Sequence, residues 1–139
     1  MIPFNVQQRL VDHVWLRPSS NDVLPILSNL GIDSTSDFAV FFIKYWGPFR
    51  SLNAGIELLD IVEGDESIIS NTMAVREEYG FPERFIVVTS LSGGGVLVYD
   101  NINGAVYDVD FEGGDNALVS GELKPRWPSW NDFISKYFG

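Results

Sequence analysis

The stretch from Phe85 to Phe111, FIVVTSLSGGGVLVYDNINGAVYDVDF, decides the expected fold. It contains three apolar, β-branched segments, which predict strands over 85–91, 96–100 and 105–111. A parallel crossover needs a dozen or more residues, so these short connections predict antiparallel pairing. Asn103-Gly104 is typical of a tight hairpin turn, because both residue types tolerate positive φ. The stretch therefore predicts an antiparallel meander.

The last of these strands alternates in character. Its apolar residues Val109 and Phe111 share one face with Tyr107, whereas Asp108 and Asp110 lie on the opposite face. Such alternation is typical of a sheet with one packed face and one solvated face. We therefore expect the sheet to present carboxylates to solvent.

Helices are predicted on both sides of the meander in the sequence. Apolar residues recur at helical spacing over about 6–14, 23–30, 37–45, 66–79 and 130–138. Ser34 with Asp37, and Ser129 with Asp132, have the spacing of helix-capping pairs. A further strand is predicted over 56–62. The fold class is thus expected to be α+β, a single domain with an antiparallel sheet of about four to six strands and helices packed around it.

Composition limits the kinds of site that the chain can carry. Its 139 residues include no Cys and one His, which disfavours disulfides, thiol chemistry and a zinc site. The first residues have neither the basic nor the apolar segment of a signal peptide, and no apolar run approaches the ~20 residues of a membrane span. We therefore expect a soluble, cytoplasmic protein.

Charge is distributed unevenly along the sequence. Residues 1–50 hold four acids and four bases, whereas residues 51–139 hold the other fifteen acids and five bases, which accounts for the net charge of −10. From Phe85 to Glu122 there is no Lys or Arg. Such a field disfavours nucleic-acid binding and attracts basic partners.

Catalytic and metal-binding readings are weaker. Asp108, Asp110 and Asp100 resemble the carboxylate pair of a retaining glycosidase, which needs its two groups about 5–5.5 Å apart, but a solvated acidic face is several times more common. The 108–115 segment loosely resembles a calcium-binding loop, but it lacks the spacing of an EF-hand, so calcium binding is not favoured. The glycine loop 92–95 lacks the Lys of a phosphate-binding loop. The sequence therefore predicts no catalytic residue, metal or cofactor, and a binding function.

The order of elements resembles the SUKH superfamily of Smi/Knr-like domains. In that family a helix ending in an aromatic residue and a Gly leads to a strand, a helix, a compact antiparallel meander and a closing helix. The resemblance covers about residues 34–139, which would form the core, with residues 1–33 as an N-terminal helical extension. The strings that carry it are 37–47, 56–62, 71–76, 79–82, 85–89, 98–100, 104–107 and 129–138.

The resemblance implies a bacterial immunity protein that binds a polymorphic or contact-dependent toxin, often a basic nuclease. It implies no nucleic-acid or membrane partner. Two alternatives remain: a module that regulates cell-wall or signalling proteins, and a small carboxylate hydrolase. The predicted partner-binding residues are acidic and come from the meander and a neighbouring loop: Asp100, Asp108, Asp110, Glu112, Asp115, Glu63, Asp65 and Glu66.

Overall fold

The computed structural model describes residues 1–51, 55–91 and 94–139. Within these ranges the chain forms six α-helices, one 3-10 turn and five short strands, and the single compact α+β domain predicted from the sequence is confirmed. The elements are α1 (Phe4–Arg9), a 3-10 turn (His13–Trp15), α2 (Val23–Asn29), α3 (Asp37–Lys44), β1 (Phe49–Arg50), β2 (Glu57–Leu58), α4 (Ile68–Tyr79), β3 (Phe85–Val87), β4 (Gly95–Asp100), β5 (Val106–Asp110), α5 (Gly114–Ser120) and α6 (Trp130–Tyr137).

The predicted meander is present as a three-stranded antiparallel sheet in the order β3-β4-β5. Its second hairpin turns where expected, with Gly104 at φ 78°. The carboxylate of Asp100 accepts the backbone N–H of Ile102 at 2.9 Å, which helps to hold the turn. Of the glycine loop predicted over 92–95, residues 92 and 93 lie outside the described residues.

Both faces of this sheet are covered. On what we call the α3 face, Ile86, Leu97 and Val106 join the main aromatic core, which also contains residues of α3 and α6. On the opposite face, which we call the α4 face, side chains such as Val98 and Val109 pack with residues of α4 and α5. The expectation of one solvated face is therefore wrong, because α4 and α5 cover the face that carries Val109 while the large core covers most of the other.

The sheet is smaller than predicted. The main sheet has three strands, and β1 and β2 form a separate antiparallel pair with Phe49 opposite Leu58. A bridge between Leu58 and Thr89 links the two sheets. The strand predicted over 56–62 lasts two residues, because the chain turns at Asp60, whose buried carboxylate accepts the N–H groups of the next loop.

Asp60 is one partner in a fully buried ion pair. Its Oδ1 lies 2.6 Å from Nη2 of Arg17, and the two side chains are 0% and 1% exposed. The guanidinium also donates to the carbonyls of Phe42 and Tyr45 at the end of α3. The carboxylate in turn accepts the N–H of Gly47 at 3.0 Å. The N-terminal segment is thereby joined to the centre of the domain.

Residues 1–33 are part of the same core as the rest of the chain. Ile2, Val6 and Leu10 pack from the α1 segment, and Val23 and Leu27 pack from α2. The first helix is shorter than predicted: it ends at Arg9, and the expected apolar residue Val14 is 57% exposed in the following 3-10 turn.

The helix termini follow local capping chemistry. Ser36, rather than the predicted Ser34, caps α3 by accepting the N–H of Ala39 at 3.2 Å. Ser129 caps α6 as predicted, and Ser67 forms a reciprocal capping box with Ser70 at the start of α4. Helix α5 was not predicted. Within the described residues, no helix has both the length and the apolar character needed to cross a bilayer.

Candidate functional site

Three exposed carboxylates lie at the end of β5, and we call Asp108, Asp110 and Glu112 the β5 rim. Asp108 lies opposite Leu97 of β4, and Asp110 lies opposite Gly95. Both aspartates belong to the α3 face but extend beyond the part of it that the core covers. The rim is therefore the exposed end of a face that is buried elsewhere.

Asp108 forms an ion pair at the surface. Its Oδ2 accepts from Nη1 of Arg126 at 2.8 Å, and both side chains are 55% exposed. An exposed pair of this kind contributes at most about 1 kcal/mol of stability, so its arginine is free to exchange partners. Arg126 also lies over the ring of the neighbouring Trp127, at 4.5 Å from its centroid.

Asp110 organises the loop that leads into α5. Its Oδ1 accepts the backbone N–H of Glu112 at 2.9 Å and that of Gly114 at 3.1 Å. The bonds from Gly114 and Glu112 hold the pKa of the Asp110 carboxyl below its ordinary value, because they stabilise the charged form. A Cβ at Gly114 would lie 2.8 Å from Oδ2 of Asp110, so this close approach requires glycine. The rim carboxylate is ionised and fixed in place.

Glu66 reaches the same end of the sheet from the segment before α4. Its carboxylate accepts from the hydroxyl of Ser90 at 2.8 Å and from the amide of Asn71 at 3.3 Å. Those bonds, the Ser90 bond first, lower the pKa of Glu66. Glu66 and Ser90 line a groove with Gly95, the residue opposite Asp110. The structure thus places Glu66 at the same end of the sheet as the β5 rim, a relationship that could not be predicted from the sequence.

That groove also contains Glu57 and a base, Arg50. The two side chains approach each other at 3.5 Å across β1 and β2. Two carboxylates in one groove are what a carboxylate hydrolase requires, but its general acid must be protonated and therefore have a raised pKa. The pKa of Glu66 is shifted in the opposite direction. Glu66 therefore does not fit the role of that general acid.

A second, more apolar groove of about 250 Å³ lies next to the first, and Ile56 lines both. Leu97, which is opposite Asp108, and Trp127 line this groove. Two basic residues, Arg126 and Lys136, also line it. The surface beside the β5 rim is therefore mixed in charge rather than uniformly acidic. The full lining is Ile56, Leu97, Arg126, Trp127, Phe133, Lys136 and Tyr137.

Asp100 is not part of this surface. Its side chain is 1% exposed and accepts from Arg84 through both oxygens, at 2.7 and 3.1 Å. The bond to Asp100 raises the pKa of Arg84. The carboxylate is buried and already binds Arg84 and the turn amides, so it does not lie on a surface that a partner could contact. The prediction that Asp100 is a partner-binding residue is therefore corrected. An Asp directly before a turn commonly accepts the turn amides, and that local signal was available in the sequence.

The other predicted acids are distributed over different places. Glu63 is half-buried and lines a small pocket with Arg17 and Trp46, near the N-terminal segment. Asp65 is exposed in the loop before α4. Asp115 is half-buried in the first turn of α5, where it accepts the N–H of Gly113 at 3.4 Å. Of the eight predicted residues, the structure groups Asp108, Asp110, Glu112 and Glu66 at one end of the sheet.

The 108–115 segment uses its carboxylates internally. Asp110 and Asp115 accept backbone N–H groups, and Asp108 pairs with Arg126. In the described ranges 1–51, 55–91 and 94–139, no group of three or more His, Cys, Asp or Glu side chains is arranged to hold a metal ion. The loop that loosely resembled a calcium site is therefore held together by the hydrogen bonds of its own backbone.

Comparison with known proteins gives no family assignment. No model of a protein family matches the chain, and no curated protein matches it.

Proposed function

We propose that this protein is a cytoplasmic immunity protein that binds and neutralises a basic bacterial toxin, such as a nuclease, without catalysing a reaction. The observation that carries the proposal is the position of four exposed carboxylates at one end of the sheet, two of which, Asp110 and Glu66, are held by hydrogen bonds, in a half of the chain where fifteen acids outnumber five bases. The order of elements, which resembles SUKH immunity proteins, supports the same reading.

Electrostatics explains how such a surface serves inhibition. A nuclease surface that binds phosphates is positively charged, and an acidic partner is steered toward it, which raises the association rate and disfavours wrong partners. The carboxylates of Asp110 and Glu66 are held by hydrogen bonds before any partner arrives. Less side-chain freedom is therefore lost on binding.

The groove next to the rim, which has both apolar and basic lining residues, supplies the apolar pocket that a tight interface also needs. Binding energy concentrates where aromatic or aliphatic anchors enter desolvated pockets. The apolar groove around Leu97 and Trp127 lies beside the acidic rim, so one partner can contact both. We assign steering to the rim and anchoring to the groove.

Expression in bacteria with a candidate toxin tests the proposal. The neighbouring reading frames are first searched for a toxin module, which is then expressed as the candidate from an inducible promoter. We expect co-expression of this chain to restore growth, and the two purified proteins to form a complex. Toxicity that persists in the presence of the folded protein, together with the lack of a complex, would exclude this role for the pair.

The alternative of an interaction module for cell-wall or signalling proteins uses the same surface with another partner. It predicts a stable complex with a protein that is not toxic when expressed alone. The growth experiment separates the two readings, because protection from killing is expected for the immunity protein alone.

A further inference from the structure

Strand β5 has an edge that faces away from β4. In an antiparallel pair the backbone groups of alternate residues face the partner strand and the opposite side. The N–H of Asp100 donates to the C=O of Ala105, and the N–H of Phe111 donates to the C=O of Gly94. The odd-numbered residues of β5 therefore face β4, and Val106, Asp108 and Asp110 face outward.

The chain itself covers the beginning of this edge. The N–H of Val106 donates to the C=O of Trp127 at 3.0 Å, and the C=O of Val106 accepts the N–H groups of Arg126 and Trp127 at 2.9 and 3.1 Å. Pro125, which has no N–H, precedes Arg126. The covering segment thus pairs with one outward residue of β5.

Beyond Val106 the edge is open. No segment within 1–51, 55–91 or 94–139 pairs with the outward N–H and C=O of Asp108, or with the C=O of Asp110. Both residues are exposed. An open edge of this kind is a template for another strand, which adds by main-chain hydrogen bonds.

The side chains along the edge indicate which strand fits. Asp108 and Asp110 point to the same face, and two residues of a strand rise about 7 Å. A strand laid beside them places alternate side chains next to these two carboxylates, where a base of the added strand would replace Arg126 as the partner of Asp108. Opposite charges across neighbouring strands stabilise the pairing, and like charges destabilise it.

A second copy of this edge does not fit, because it would place Asp108 and Asp110 against the same two carboxylates. We infer instead that the open edge at Asp108 and Asp110 receives an extended segment of the partner with Lys or Arg at alternate positions, as an added strand of the sheet. The inference rests on the proposed function, since the segment would belong to the toxin.

A peptide probe tests the edge directly. The probe is a cyclic β-hairpin whose outer strand alternates Lys with Val. It is prepared in two N-methylated forms of equal charge: one blocks the amides on the outer edge of this strand, and one blocks the outward amides of the hairpin's other strand, so that both forms keep the hydrogen bonds within the hairpin. We expect the second form and the unmodified peptide to shift the amide signal of Asp108 and to slow its hydrogen exchange. The form blocked on the outer edge should bind at least tenfold more weakly.

Two protein variants complement the probe. Asp108→Pro removes an outward N–H and leaves the ladder to β4 intact, because that N–H does not face β4. Asp108→Asn keeps the N–H and removes the charge. Asp108→Pro should abolish binding of the probe, whereas Asp108→Asn should weaken it a few-fold and reduce its salt dependence. If Asp108→Pro does not fold, the comparison of the two N-methylated peptides still tests whether the probe adds to the edge of β5 as a strand.

Equal binding of the two N-methylated peptides, or amide shifts that leave Asp108 and Asp110 unchanged at millimolar probe, would overturn the edge inference. Neither result affects the proposed function, which fails if the toxin is not bound at all. A toxin that binds wild-type protein and folded Asp108→Pro equally well would refute the added strand and retain the immunity role.

Discussion

Arg17 and Asp60 are 43 residues apart in the sequence, yet Nη2 of one lies 2.6 Å from Oδ1 of the other in the interior of the domain. In the described part of the chain, the other hydrogen bonds of these two side chains go to backbone groups: the carbonyls at the end of α3, and the N–H groups of Gly47 and of the loop after Asp60. Removing one partner of a buried pair leaves the other charge uncompensated.

The first prediction concerns this pair. Arg17→Met should lower the free energy of unfolding by about 3–5 kcal/mol, because the Asp60 carboxylate stays buried without its cation. Urea unfolding followed by circular dichroism measures the change. Arg126→Met is the matched control, since it breaks an exposed Arg–Asp pair, and it should cost at most about 1 kcal/mol. Equal losses in the two variants would contradict the assigned role of Arg17.

The second prediction concerns Asp100. Asp100→Ala removes the acceptor of two Arg84 bonds and of the turn amides, so we expect a loss of about 2 kcal/mol or more in unfolding free energy. The same variant, where folded, should bind the toxin with an unchanged association rate, because the side chain is buried. If Asp100→Ala associated with the toxin more slowly and kept its unfolding free energy, Asp100 would be a binding residue after all.

The third prediction tests steering by charge. The pair Asp108→Asn and Glu112→Gln should slow association with a basic toxin several-fold at low salt and little at high salt. The control pair, Glu77→Gln and Glu78→Gln, makes the same change of net charge on exposed positions of α4, which covers the α4 face of the sheet. Stopped-flow measurements at several salt concentrations compare them. Identical slowing by both pairs would show that net charge, rather than the rim, governs the rate.

The fourth prediction concerns two buried tyrosines. Burial raises the pKa of Tyr99 and of Tyr137 to about 12. Since an unfolded tyrosine ionises near its ordinary value of 10, the two groups contribute stability that is complete below pH 10 and is lost as the pH rises toward 12. Tyrosinate absorbance during an alkaline titration should show these two rings ionising together with unfolding. If either tyrosine ionised near its ordinary pKa of 10 while the protein was still folded, this prediction would be wrong.

Tyr137 allows that titration to be assigned. Its hydroxyl accepts the N–H of Leu58 at 3.0 Å and lies within hydrogen-bond distance of the carbonyls of Phe49 and Ile56. In Tyr137→Phe the Leu58 N–H loses its acceptor, so stability at neutral pH should fall by about 1–3 kcal/mol. One late-ionising ring should disappear from the alkaline transition.

The fifth prediction concerns the acid side of the profile. Because its folded pKa is lowered, Asp110 contributes stability above its unfolded value of 3.8 and loses it as the pH falls through the folded value. Asp110→Asn should therefore flatten the acid limb of the stability curve. Thermal unfolding at a series of acidic pH values measures this. An unchanged acid limb would mean that the amides of Glu112 and Gly114 do not stabilise the charge.

Local chemistry was predictable from the sequence where neighbouring residues decide the structure. The hairpin at Asn103-Gly104 and the cap of α6 at Ser129 are examples. Helix α5 was missed because its N-cap, Gly113, and its first residue, Gly114, are glycines, which are typical of a loop. The second glycine is explained by its contact with Asp110, which exists only in three dimensions.

Long-range relationships were not predictable in the same way. The chain turns after β2 at Asp60, whose buried partner is Arg17, and nothing near either residue in the sequence indicates the other. The burial of both sheet faces depends on where α4 and α5 pack. The acidic residues could be named from the sequence, but their grouping required the fold, which separates Asp100 and Glu63 from Asp108 and Glu66.

The pairing of Trp127 with Val106 has a consequence for alignment. Because this one outward position is already filled from within the molecule, a visiting chain has a fixed starting point and space for only a few residues. It is not free to slide along the sheet, and slippage by one residue would turn its basic side chains to the wrong face. The short segment at Arg126 and Trp127 thus sets the register in which another strand can pair with β5.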